Sequence, residues 1–202
     1  VTLAPGQRIE LRIERLAAGG EGVAHCEGMA VFVPSSAPGD RVLARITDLR
    51  ARFARAEIVE ILAPGPGRRE PPCPYAERCG GCDWLHLDED TQLAARVEIL
   101  ASALTRIGGL AGLPGIEVLR SPRALGYRAR ARVAHGGGRI GFRARRSSEI
   151  VDVERCAVLV PEAQRELERL RAAPPAGEGE REIRGFDARA AGLDVRAQAF
   201  FQ

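Results

Sequence analysis

With 202 residues, 45% hydrophobic and 28% charged, the chain is long enough to bury a core and has the composition of a globular protein. No apolar run approaches the roughly 20 residues that span a bilayer, and the N-terminal stretch lacks the apolar centre of a signal peptide, so no membrane association is expected and the cytoplasm is the expected compartment. The net charge of +3 is small, yet every one of the 30 basic residues is arginine.

The first sixty residues read as short strands punctuated by turns. QRIELRIERL alternates, placing Ile9, Leu11 and Ile13 on one face. GGEGVAHC and AVFVP follow, then the turn SSAPGD at 35–40, then strands over Arg41–Leu49 and Phe53–Leu62. Five strands in this length suit a small closed barrel, because closure removes the exposed sheet edges. APGPGRREPP, Ala63 to Pro72, reads as a linker.

Beyond the linker, Leu93, Val97, Leu100, Leu104 and Ile107 recur at helical spacing, with Asp88 or Asp90 placed to cap the start and Gly108-Gly109 to end the helix. This stripe is expected to be partly exposed or displaced, awaiting a further domain. YRARARVAH, a Gly136-Gly137-Gly138 turn, RIGFRAR and SSEIVDV form an antiparallel arrangement. Pro161 to Ala172 is a short helix with Pro in its first turn, and REIRGFDAR and LDVRAQAFF are two more strands. A chain that opens on Val1 and stops at Gln202 after an apolar stretch reads as cut from a longer one.

Charge is unevenly distributed. From Val118 to Ser148 there are nine arginines (Arg120, Arg123, Arg128, Arg130, Arg132, Arg139, Arg143, Arg145, Arg146) and no acid. Such a segment is the footprint of a phosphate-rich partner, and nucleic acid ranks ahead of a solvated face balanced by distant acids.

Three of the five cysteines, Cys73, Cys79 and Cys82, fall in CPYAERCGGCDWLH with the spacing C-x5-C-x2-C. An odd cysteine count without a secretory signal argues against a disulfide framework. A zinc site with Cys73 and His86 is one reading, and an iron–sulfur cluster completed by a distant thiol such as Cys156 is another; spacing alone leaves them level. A redox dithiol fits less well, because the motif follows a Pro-rich linker rather than a strand. Cys26 reads as a buried structural thiol, and His25, His86 and His135 as surface or packing residues.

CPYAERCGGCDWLHL resembles the iron–sulfur motif of the TrmA/RumA-type RNA uracil-5-methyltransferases, closest to the RumA-like branch. GGEGVAH…GMAVFVPSSAPGDRV resembles their TRAM domain, the segment ending in VERCAVL resembles their central part, and AFFQ resembles the start of their F-F-Q-x-N motif. The resemblance implies a [4Fe-4S] cluster on Cys73, Cys79, Cys82 and Cys156, and S-adenosylmethionine bound partly through Gln202. Ala157 stands where the family usually has proline, a change that removes no ligand atom.

The expected fold is thus mainly β with α+β: an OB-like TRAM barrel over 1–63, a linker over 64–72, an antiparallel α+β iron–sulfur domain over 73–198, and the start of a methyltransferase domain at 199–202. The Rossmann-like methyltransferase domain is expected to be absent, and the chain alone inactive, since no cysteine here matches the family's nucleophile. The partner is expected to be RNA, ribosomal ahead of transfer RNA, contacted by Arg41, Arg45, Arg50, Arg52 and Arg55 on the barrel and by Arg120, Arg123, Arg128, Arg130, Arg132, Arg143, Arg145 and Arg146. Scarce aromatics argue against stacking over a broad face. A monomer is expected. The alternative is a stand-alone, non-catalytic RNA-binding protein with a structural iron–sulfur or zinc site.

Overall fold

The computed structural model describes residues 3–185, which form two compact units. The first unit takes residues up to 77 together with 82–119; the second takes 78–81 and the chain from 120 onward. This division differs from the expected boundary at 64–72. The long helix travels with the barrel, and the short stretch Arg78–Gly81 belongs with the later strands.

The first unit is built on strands β1 (Arg8–Arg12), β2 (Arg15–Leu16), β3 (Gly22–Cys26), β4 (Met29–Val33), β5 (Arg41–Leu49) and β6 (Phe53–Ala63). They pair in the order β1-β5-β6-β4-β3-β2, with β4 and β6 parallel and the other pairs antiparallel. β1 and β2 are two halves of one path that changes partner at Ile13–Glu14. Arg12 is still opposite Arg41, whereas Glu14 N–H donates to Val23 O at 2.8 Å and Arg15 lies opposite Val23. That change closes the sheet into an OB-like barrel. Alternation decides what enters it: Leu11, Ile13, Ala24, Val31, Val33, Val42, Ala44, Ile46, Ala54 and Ala56 fill the interior.

The Pro/Gly stretch after the barrel is not free. Asp40, fully buried, accepts from Ala37 N–H at 2.6 Å, from Gly65 N–H at 2.7 Å and from the Arg68 guanidinium at 2.6 Å. Burial opposes ionisation of this carboxyl, but the Arg68 guanidinium and the two amides outweigh it and hold its pKa below the ordinary 3.8. Gly39 makes the approach possible: its φ is +87°, and a Cβ there would come within 2.9 Å of Pro66.

Helix α1 (Glu89–Arg106) is capped by Asp88, whose side chain accepts from Thr91 N–H at 2.7 Å; that bond lowers the carboxyl's pKa. The turn Ile107–Leu110 ends it, with Leu110 N–H reaching Leu104 O at 3.1 Å and Gly109 at φ +65°. The five-residue stripe is not its buried face. Leu93, Val97 and Leu104 are half-buried, while Leu100 and Ile107 are exposed. The small Ala95 makes the close approach instead, packing with Leu16, Ala37, Leu87 and Trp84.

The second unit carries β7 (Arg130–Gly136), β8 (Arg139–Arg143), β9 (Ile150–Asp152) and β10 (Gly179–Arg184) in an antiparallel sheet ordered β10-β7-β8-β9. Helix α2 (Pro161–Ala172) packs on β7 and β10 and buries Ala163 and Leu167. Ala131, Val133, Ala134, His135, Ile140, Gly141, Phe142, Val151 and Ile183 are the buried residues of these strands, and exposed arginines and glutamates flank them. The expected strand LDVRAQAFF lies outside the described residues. No helix among the described residues is long and apolar enough to cross a membrane.

Candidate functional site

The arginine-rich segment does not present a purely basic face. β10 pairs with β7 so that Glu182 lies opposite Arg132 and Glu180 opposite Ala134. Carboxylates therefore sit among the guanidiniums: Arg130 with Glu182 at 3.9 Å, Arg132 with Glu180 at 3.6 Å, Arg143 with Glu180 at 3.4 Å and Arg139 with Glu149 at 3.6 Å. The Glu182 carboxyl is held below its ordinary range, chiefly by the Arg184 side chain that bonds it, with Arg130 and Arg132 adding to the field. All of these side chains are exposed, and exposed pairs of this kind are weak enough for a phosphate to take the carboxylate's place. Arg120, Arg123 and Arg146 are also exposed, and Arg145 is half-buried.

Arg128 behaves differently. Half-buried, it donates to Gly81 O at 3.0 Å through its guanidinium, while its backbone N–H meets Val158 O at 2.7 Å. It braces the Gly80-Gly81 turn rather than facing outward.

On the barrel, four of the five expected arginines are paired. Arg41 binds Glu10 at 2.5 Å, Arg50 binds Asp48 at 2.8 Å, and Arg45 and Arg55 bond Glu57 and Glu21. Arg52, exposed in the turn before β6, has no ion pair among the described residues. Sequence reading passed over what surrounds Arg55. Phe32 and Phe53 point outward on β4 and β6, and the Arg55 guanidinium carbon lies 5.8 Å and 5.9 Å from their ring centroids. The alternation that sends Val31 and Val33 inward already dictates that Phe32 points out.

All five cysteines are half-buried. Cys73 and Cys82 belong to the first unit, Cys79 and Cys156 to the second. Around Cys79 the backbone lies close. Gly81 N–H points at Cys79 Sγ at 3.4 Å, Gly80 N–H donates to Arg143 O at 2.9 Å, and a Cβ on Gly80 would meet that same oxygen at 2.9 Å. Cys156 N–H donates to Gln164 Oε1 at 3.0 Å. Among the described residues, no three His, Cys, Asp or Glu side chains are grouped so as to hold a metal ion. The thiols and the Gly-Gly cradle suit a cluster in chemistry. His86 is no ligand: it is buried, and its Nε2 meets Ser36 O at 3.1 Å. His135 is likewise buried and bonds Gly177 O, His25 is exposed beside Glu14, and Cys26 packs against the barrel core. Gln202 lies outside the described residues.

Comparison with known proteins places these features in context. The TRAM domain family matches residues 3–59. An RNA methyltransferase of Bdellovibrio bacteriovorus is 42% identical over 76% of this chain and 39% of its own length. The 23S rRNA (uracil(1939)-C(5))-methyltransferase RlmD of Chromohalobacter salexigens is 45% identical over 80% of this chain and 35% of its own. Among solved structures, the tRNA (uracil-54, C5)-methyltransferase of Pyrococcus abyssi in complex with S-adenosyl-L-homocysteine matches with a TM-score of 0.53 and 28% identity, over 80% of this chain and 36% of that one. The chain thus spans little more than a third of the relatives it matches.

These matches correct one expectation. Four-fifths of the chain aligns with uracil methyltransferases, one of them solved with S-adenosyl-L-homocysteine, so the expected absence of a Rossmann-like methyltransferase domain falls. The inactivity expected with that absence loses its support. The TRAM barrel stands. The chain is a TRAM-bearing homologue of the RumA/RlmD-type 23S rRNA uracil-5-methyltransferases.

Proposed function

We propose that this chain supplies RNA recognition to an enzyme that transfers a methyl group from S-adenosylmethionine to carbon 5 of a uridine in 23S ribosomal RNA, acting as a monomer in the cytoplasm. The observation carrying this reading is the 45% identity to the RlmD enzyme across 80% of the chain. Physical features agree with it. An OB-like barrel is a common nucleic-acid scaffold, and the second sheet presents arginines whose weak carboxylate partners a phosphate backbone can displace. Arginine–phosphate contacts position the RNA, and the uridine must leave its stack for the reaction.

Within this reading, Cys73, Cys79, Cys82 and Cys156 hold a [4Fe-4S] cluster, a reading supported by the half-burial of all four cysteines and by the amide aimed at Cys79 Sγ. Its chemistry when bound is structural, closing the chain between Cys73 and Cys156 as a crosslink would. Gln202 contacts S-adenosylmethionine.

The test is genetic and chemical. A strain lacking the gene should lose one 5-methyluridine from 23S rRNA, detected by mass spectrometry of nuclease fragments, and regain it on complementation. Loss from transfer RNA with ribosomal RNA unchanged overturns the substrate assignment.

A further inference from the structure

The barrel's outer face carries a feature that its interior does not require. β4 and β6 run parallel with Ala30 opposite Phe53 and Phe32 opposite Arg55, which brings both aromatic rings and the guanidinium onto one outward patch. The rings meet edge to face, with centroids 5.7 Å apart and planes at 82°. Arg55 reaches across both of them, at 5.8 Å and 5.9 Å. A cross-strand aromatic pair alone would be ordinary sheet stabilisation. Two further observations point to a ligand.

First, the guanidinium is fixed in place. Glu21, with only 13% of its side chain exposed, bonds the Arg55 guanidinium, so its planar group has surrendered an edge to the carboxylate and keeps its faces. An arginine held this way is poorly placed to grip a phosphate through its edge and well placed to stack. Second, Arg52 stands immediately before Phe53, exposed and without an ion pair among the described residues. A preorganised π surface with an exposed arginine at the next position along the chain is the minimal unit for one nucleotide, with base on the platform and phosphate on the arginine.

We infer that Phe32, Phe53 and Arg55 form a stacking platform for an unpaired RNA base, with Arg52 contacting the adjoining phosphate. This rests on the RNA reading above and adds to it a specific site and a single-stranded ligand. Few aromatics are needed, because the site takes one base rather than a run.

The test uses the whole chain and a uridine-rich single-stranded RNA, with affinity measured by fluorescence anisotropy over a salt series. Phe32→Leu and Phe53→Leu keep apolar bulk but lose the ring, and each should weaken binding about 5- to 150-fold without changing the salt dependence. Arg52→Gln should instead flatten the slope of log K against log salt by about 0.7, the contribution of one single-strand phosphate. Leucine variants that melt as the wild type does and bind as tightly would overturn the platform. If either variant does not fold, photocrosslinking of the unaltered chain to 5-iodouridine RNA decides: adducts on Phe32 or Phe53 support the site, and adducts confined elsewhere sink it. Failure of the unaltered chain to bind any RNA would remove the wider reading, and the platform with it. Binding that ignores both rings removes the platform alone.

Discussion

The guanidinium of Arg128 donates to the carbonyl of Gly81 at 3.0 Å, within the turn that separates Cys79 from Cys82. An arginine drawn from the most basic part of the chain therefore serves the cysteine loop. Replacing it with alanine removes the donor and loosens a turn whose Gly81 amide faces Cys79 Sγ. The Arg128→Ala protein, purified anaerobically, should retain iron about 10- to 100-fold less tightly under chelator challenge, as removal of such supporting bonds does in metal sites. Unchanged iron retention would separate Arg128 from the cysteine site.

The four proposed ligands are distinguishable one by one. Cys73→Ser, Cys79→Ser, Cys82→Ser and Cys156→Ser should each abolish a broad absorbance at about 400 nm in the anaerobic protein, whereas Cys26→Ser, in the barrel, should leave it intact. A colourless unaltered protein with one bound zinc would replace the cluster by a zinc site.

The glutamates of β10 temper the arginine face. In Glu180→Gln with Glu182→Gln, Arg130, Arg132 and Arg143 lose their carboxylate neighbours while the strand pairing remains. RNA affinity should rise several-fold at low salt, and the gain should fade as salt screens it, since exposed charges couple only over about a Debye length of roughly 10 Å at 0.1 M. Equal affinity at low salt would show that this face does not meet RNA.

Asp40 is the polar anchor of the barrel end. Asp40→Asn leaves Arg68 without its anionic partner and should cost about 3 kcal/mol in denaturant unfolding, the lower end for breaking a buried pair. The pH dependence has a definite sign. Because the folded carboxyl titrates below its ordinary 3.8, its contribution is complete above that value and disappears as pH falls through the lower folded one. The stability gap between wild type and Asn variant should therefore be full at neutral pH and close only in strong acid.

Much of the barrel was legible because buried Val42, Ala44 and Ile46 alternate with Arg41, Leu43, Arg45 and Thr47, none of them buried, and one buried face fixes strand register. The closure was not. One unbroken alternating run, QRIELRIERL, contains the point at Ile13–Glu14 where the path leaves β5 for β3, and periodicity is blind to a change of partner. The charge of the second sheet was misjudged for a related reason: Glu180 and Glu182 lie far along the chain from Arg132 and meet it only through strand pairing. Helical spacing gave α1, and the partial exposure expected of its stripe is seen at Leu100 and Ile107; the residue spacing did not mark is Ala95, whose small side chain makes the close approach. For the cysteines, spacing left zinc and cluster level, and only the family resemblance favoured the cluster.

The grip of Asp40 on Gly65 and Arg68 also settles where the barrel can be cut. A proline- and glycine-rich stretch is ordinarily the place a protease opens first, and the sequence invites a truncation straight after Ala63. Such a cut would strand a buried carboxylate without its guanidinium and one of its amides. The smallest barrel able to survive on its own runs on through Arg68, and limited digestion of the folded chain should spare the bonds between Ala63 and Arg68 while exposed loops elsewhere are nicked.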